Sequence, residues 1–128
     1  MAGPARAGAL IYAIDVEHLA HFYEVMLSMR RLVTTEELVV LESADIQLVI
    51  HAIPPDIART VVVTSPPEPR QQSAIRFFFT VPSISDARAT ASEIGGAVYT
   101  QQWPGTGFVM CNGHDPEGNI FQIRELKR

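Results

Sequence analysis

The chain has 128 residues, 47% hydrophobic and 19% charged, which suits one folded domain with a substantial core. A net charge of -4, from 10 basic and 14 acidic residues, gives no electrostatic basis for nucleic-acid binding, and the single cysteine, Cys111, excludes an intramolecular disulfide. No apolar run approaches the roughly 20 residues of a membrane span, and residues 1–8 (MAGPARAG) lack the apolar core of a signal peptide, so the expectation is a cytoplasmic protein with neither membrane nor nucleic acid among its partners.

Residues 8–14 (GALIYAI) are a short apolar run of strand formers. Asp15 stands where an N-cap belongs, its carboxylate able to accept from a free N–H of the first helical turn. Val16, Leu19, Tyr23, Met26 and Leu27 recur at helical spacing and predict an amphipathic helix over 16–29. Arg30 and Arg31 suit the negative end of its dipole. Three short strands are predicted next, at 32–35, 38–42 and 46–53, with a turn at Ser43-Ala44-Asp45. Segment 54–72 holds five of the nine prolines and predicts a linker, in which TVVVT at 60–64 would form a short extra strand.

The order then repeats. Residues 74–81 (AIRFFFTV) predict an aromatic-rich strand. Ser83 with Asp86 resembles a capping box, and Ile84, Ala87, Ala91 and Ile94 give a second helical stripe. Gly95-Gly96 ends it, and strands follow at 97–100, 107–111 and 119–125. Asp115-Pro116-Glu117-Gly118-Asn119 is a turn in which proline sets φ and glycine accepts a positive one. A shift of 68 positions lays Asp15 on Ser83, Leu19 on Ala87 and Met26 on Ile94, without gaps. Matched periodicity with little identity marks a duplicated unit. The chain therefore reads as two βαβββ modules in a single domain, 1–128. Module one covers about 7–53, the linker 54–72 and module two about 73–126. One module alone would leave a sheet face bare. The predicted fold class is α+β, a curved mixed sheet around a cavity.

Two segments carry a family resemblance. DVEHLAHFYEVML at 15–27 resembles a D-L-x-x-A/S-x-x-F-Y-x-x-x-L-G signature, with Ser28 in place of the usual glycine. HDPEGNIFQIRE at 114–125 resembles a D-P-D/E-G-N/Y-x-I/F-E-I/L ending. Both belong to the vicinal oxygen chelate superfamily of glyoxalases, bleomycin-resistance proteins and extradiol dioxygenases. The resemblance covers residues 7–126 and speaks to fold far more than to activity. It implies a glyoxalase-like domain that forms a homodimer. Metal-dependent members hold a divalent ion with His or Gln on first strands and Glu or His on last strands, where it grips two substrate oxygens. Carried over, those positions fall on Gly8, on Arg76, on or near His51, and on Gln122. Only His51 is a good ligand. The expectation is no cofactor and no metal site, with a divalent metal as the disfavoured alternative.

Candidate site residues follow from strand faces. Arg76 either holds a carboxylate, enolate or phosphate by a forked hydrogen bond, or pairs with Glu42, Glu125 or backbone carbonyls or points to solvent. His51 is a candidate general base or simply a satisfied strand-end histidine. Gln122 orients a ligand carbonyl or is a remnant of a lost metal site. Tyr12 lines the cavity or packs in the core. Trp103, expected in the loop 101–105, covers an aromatic or planar ligand as a lid or anchors an interface. Phe78 and Met110 are candidate apolar walls. Cys111 reads as buried and inert. The leading expectation is a metal-free protein that binds a small molecule, an anionic one where Arg76 serves as its contact. The alternative is an enzyme, a glyoxalase-type lyase, isomerase or dioxygenase that uses a divalent metal or His51. Drug sequestration ranks lower, because cationic drugs call for acidic walls.

Overall fold

A computed structural model describes residues 5–127. The reading of the N-terminus at Met1–Pro4 lies outside the described residues. The chain divides at Val62–Val63 into two units, and each carries the βαβββ order. Unit one has β1 (Gly8–Ala13), α1 (Val16–Met26), β2 (Arg30–Thr34), β3 (Leu38–Glu42), β4 (Gln47–Ala52) and a short α2 (Pro55–Ala58). Unit two has β5 (Phe77–Thr80), α3 (Ile84–Glu93), β6 (Ala97–Pro104), β7 (Phe108–His114) and β8 (Ile120–Leu126). The fold is α+β, with two four-stranded mixed sheets ordered β1-β4-β3-β2 and β5-β8-β7-β6. In each, the first and last strands of the module pair in parallel and the others antiparallel.

Strand alternation gives each sheet one buried face and one open face. In β1, Ile11 and Ala13 are buried while Leu10 and Tyr12 are exposed. Leu19, Phe22, Tyr23 and Met26 of α1 fill the core of unit one with Val39, Leu41, Leu48 and Ile50. In unit two, Ala87 and Ala91 of α3 form the core with Phe79, Val98, Phe121 and Ile123. Cys111 lies in that core, and burial pushes its thiol above the ordinary value, as expected of an inert cysteine.

Both helices start and stop by the same chemistry. Asp15 accepts from His18 N–H at 3.0 Å, and Ser83 from Asp86 N–H at 3.1 Å. Each ends on a residue with positive φ, Ser28 (50°) and Gly95 (95°). The next N–H then bonds back into the last turn, Met29 to Glu24 O and Gly96 to Ala91 O. The N-caps are 68 positions apart but the C-caps, Leu27 and Ile94, only 67. The gapless overlay is therefore corrected: α3 is one residue shorter than α1.

Ser28 explains a second difference. The left-handed turn stops α1 at Met26, so Arg30 and Arg31 belong to β2 and are not the helix end. Arg31 instead forks onto Glu17 at 2.8 and 2.9 Å and reaches Glu24 at 3.0 Å. A serine in this conformation is strained where glycine is not. Ser28→Gly is expected to raise stability by roughly 0.5–1 kcal/mol, less any entropy gained by the unfolded chain. Urea unfolding midpoints would show it; an unchanged or lower midpoint would contradict it.

The predicted linker is not free-standing chain. Residues 55–58 are α2, and 60–64 form no strand. That run has β-branched side chains but no ladder partner. Further on, Arg70 N–H donates to Gly118 O at 2.8 Å and Arg70 Nε to Glu117 O at 3.2 Å, which ties segment 68–70 to the Asp115–Asn119 turn. A Cβ on Gly118 would collide with the Glu68 carbonyl, so glycine is required there twice, for its φ of +84° and for this close approach.

Candidate ligand-binding site

The open face of unit two carries most of the predicted site. Pairing sets Phe78 opposite Gln122, Thr80 opposite Arg124, and Asn112 opposite Gln122. Arg124 also faces Met110, which pairs on its other side with Trp103. Directly opposed residues point to the same side of a sheet. Phe78, Gln122, Met110 and Trp103 are thus brought onto one surface; Trp103, expected in a loop, lies within β6, which runs to Pro104. The residue at its centre is Arg124. Its guanidinium carbon lies over the Phe78 ring at 3.8 Å and over the Phe108 ring at 4.7 Å. These cation–π contacts are each of order 0.5–2 kcal/mol. Arg124 Nε donates to Gln122 Oε1 at 3.1 Å. Its two terminal nitrogens bond no acceptor among the described residues, and neither is sealed from solvent. Phe108 owes its place to the turn before it: Gly105 N–H donates to Phe108 O at 2.8 Å, and a Cβ at Gly105 would stand 2.5 Å from the ring.

Farther along the same sheet, Tyr99 and His114 share a 2.7 Å hydrogen bond between the phenol oxygen and Nδ1. Burial raises the Tyr99 phenol above its ordinary value, and the Arg76 charge partly offsets this. Burial also lowers His114, against the opposing pull of Asp115, so this imidazole is neutral near pH 7.

Arg76 sits differently from its predicted place. β5 begins at Phe77, so Arg76 precedes the strand, exposed, and donates to Gln71 O at 3.3 Å. That contact is the backbone-carbonyl alternative; neither of the two carboxylates bonds it. Glu42 pairs with Arg30 at 3.4 Å, and Glu125 accepts from Ile84 N–H.

In unit one the open face brings together Tyr12 and His51. They are register partners on β1 and β4, with ring centroids 5.8 Å apart in an edge-to-face contact. His51 Nδ1 lies 2.7 Å from Ala52 O. A carbonyl only accepts, so Nδ1 carries the hydrogen, and in the neutral tautomer that this selects, the lone pair falls on Nε2. That nitrogen has the chemistry of an acceptor or a base.

A divalent ion fits these residues badly. Among the described residues, no three His, Cys, Asp or Glu side chains group to hold one. At the first-strand position of unit one, a Cβ on Gly8 would stand 2.5 Å from Gln47 O, so no side chain enters without moving backbone. At the last-strand position of unit two, Gln122 Oε1 is engaged by a cation, which would repel a metal.

Arg124 is the residue at the centre of this face that sequence reasoning did not single out. Its signal was present: it follows Gln122 by two along a strand and so shares its face.

No family model matches this sequence, and no curated protein matches it. Solved structures do. A glyoxalase/bleomycin resistance protein/dioxygenase family enzyme from Burkholderia phytofirmans superposes with a TM-score of 0.71 at 13% identity, over 92% of this chain and 95% of that one. A bleomycin-binding protein complexed with bleomycin gives 0.61 at 15% identity, over 97% and 100%. A fosfomycin resistance protein from Mesorhizobium loti gives 0.66 at 11% identity, over 96% and 92%. At such identities the likeness establishes a shared fold. No helix among the described residues is long and apolar enough to cross a membrane.

Proposed function

We propose that this chain, built on the glyoxalase/bleomycin-resistance fold, binds a small anionic molecule on the open face of unit two without a metal. One observation carries the reading: Arg124 presents two terminal nitrogens with no acceptor among the described residues, on a guanidinium positioned by Phe78, Phe108 and Gln122. A planar fork of this kind matches a carboxylate or phosphate and holds it by charge-assisted hydrogen bonds. Stacking on two rings restricts the side chain beforehand, which lowers the entropy lost on binding. Similar structures include one whose protein binds bleomycin, so the fold accommodates small-molecule binding without settling the ligand. The anion preference argues against a cationic drug here.

Calorimetric titration of the full chain, stripped with chelator, tests the reading with acetate, phosphate and benzoate as probes. Binding that is the same before and after adding Ni²⁺, Zn²⁺ or Mn²⁺ is expected. Binding that appears only with one of those ions would overturn it.

A further inference from the structure

We infer that the anion taken by unit two is an aryl carboxylate whose ring lies over Met110 towards Trp103. This rests on the reading of Arg124 above and adds the class of molecule. The register places Arg124, Met110 and Trp103 in one row across β8, β7 and β6. Adjacent strands are about 4.8 Å apart, so the two ends of the row are separated by about 10 Å at the backbone. One end is a cation with open donors; the other is an indole, 39% exposed, that makes no hydrogen bond or ring contact among the described residues. Between them lies a thioether, which favours contact with an aromatic ring.

The chemistry of the row selects among anions. Acetate or phosphate would satisfy the guanidinium but leave Met110 and Trp103 in water. A molecule with one ring joined to a carboxylate by a short spacer reaches both ends. It gains stacking on the indole and burial of the thioether as well as the charged hydrogen bonds. The neighbouring row supplies neutral hydrogen-bonding groups, Asn112 opposite Gln122, suited to a polar substituent and carrying no charge to oppose the carboxylate.

The chain has a single tryptophan, Trp103, so its fluorescence reports on this row alone. Three probes separate the parts of the inference: phenylacetate, phenylacetamide (same shape, no charge) and acetate (same charge, no ring). Phenylacetate is expected to bind about tenfold or more tightly than either of the others, a difference of about 1.4 kcal/mol, and to change the Trp103 emission. In Trp103→Leu, calorimetry should show phenylacetate reduced towards acetate, with acetate itself unchanged. If acetate and phenylacetate bind equally well and both respond to loss of Arg124, the aryl inference fails while the anion reading stands. If phenylacetamide matches phenylacetate, both fail.

Discussion

Arg124→Met is expected to weaken binding of a small carboxylate by about 30-fold or more, while the free protein loses only the two cation–π contacts, roughly 1–2 kcal/mol at this partly exposed site. The size follows from the bond type: a hydrogen bond to a charged group is worth about 1.5–3 kcal/mol, and about 2 kcal/mol corresponds to that factor. Methionine is chosen because it keeps apolar contact with Phe78 and Phe108, the two rings that the guanidinium now covers. Removing the cation also frees the Gln122 amide, which can turn to water. Arg124→Lys separates charge from geometry. It retains the cation but loses the planar fork, so an intermediate affinity is expected. Equal affinity in wild type and the methionine variant, by calorimetry, would remove Arg124 from the site.

The largest effect on stability is expected from the turn between β7 and β8. Asp115 is fully buried, and one carboxylate gathers the turn. It accepts from Glu117 N–H at 2.9 Å, from Asn119 N–H at 3.0 Å, and from the Asn119 side-chain amide at 2.9 Å. The same residue's backbone closes the loop, with N–H donating to Asn119 O and C=O accepting from Gly118 N–H. Asp115→Ala strands these donors in a buried loop. The loss of stability is expected to be about 3–4 kcal/mol, since each unmet buried donor costs roughly 1–3 kcal/mol and some relax towards water. Asp115→Asn keeps one oxygen and should lose less. Arg70 bonds Glu117 and Gly118 of this turn, so segment 68–70 should loosen along with it. Denaturant unfolding measures the effect, and a loss under about 1 kcal/mol would show that the turn is held by other contacts.

What was legible in the sequence was local. Asp15, Ser83, Gly95 and the Asp115–Asn119 turn act through bonds to residues within five positions, and each does what its residue type predicts. Periodicity likewise picks out Leu19, Tyr23 and Met26 of α1 and Ile84, Ala87 and Ala91 of α3, all buried, but not the buried Phe22. The failures are non-local. Whether 60–64 becomes a strand depends on a partner edge, which no local pattern encodes, and none pairs with it. Arg76 reads in the sequence equally as an anion anchor or as a cation satisfied by backbone carbonyls or solvent; the strand starts one residue later, and it stands exposed and donates to Gln71 O. The pairing of β5 with β8 and of β7 with β8 decides which rings surround which cation. That pairing joins residues about 45 and 15 positions apart, and it selects Arg124. Ser28 shows the limit of motif reading in another way. The left-handed conformation persists although the residue suited to it is missing, because the Met29 N–H to Glu24 O bond and the packing of the helix hold it.

The most direct measurement is NMR of the arginine side-chain Nε–H signals in chelator-treated protein during titration with a small carboxylate. One signal, assigned by its loss in Arg124→Met, should shift with the carboxylate in a saturable way, without added metal, while the other arginines stay put. Saturable binding that leaves this signal unmoved, or moves it only after a divalent ion is supplied, would contradict a guanidinium standing in for the metal as the anion's partner.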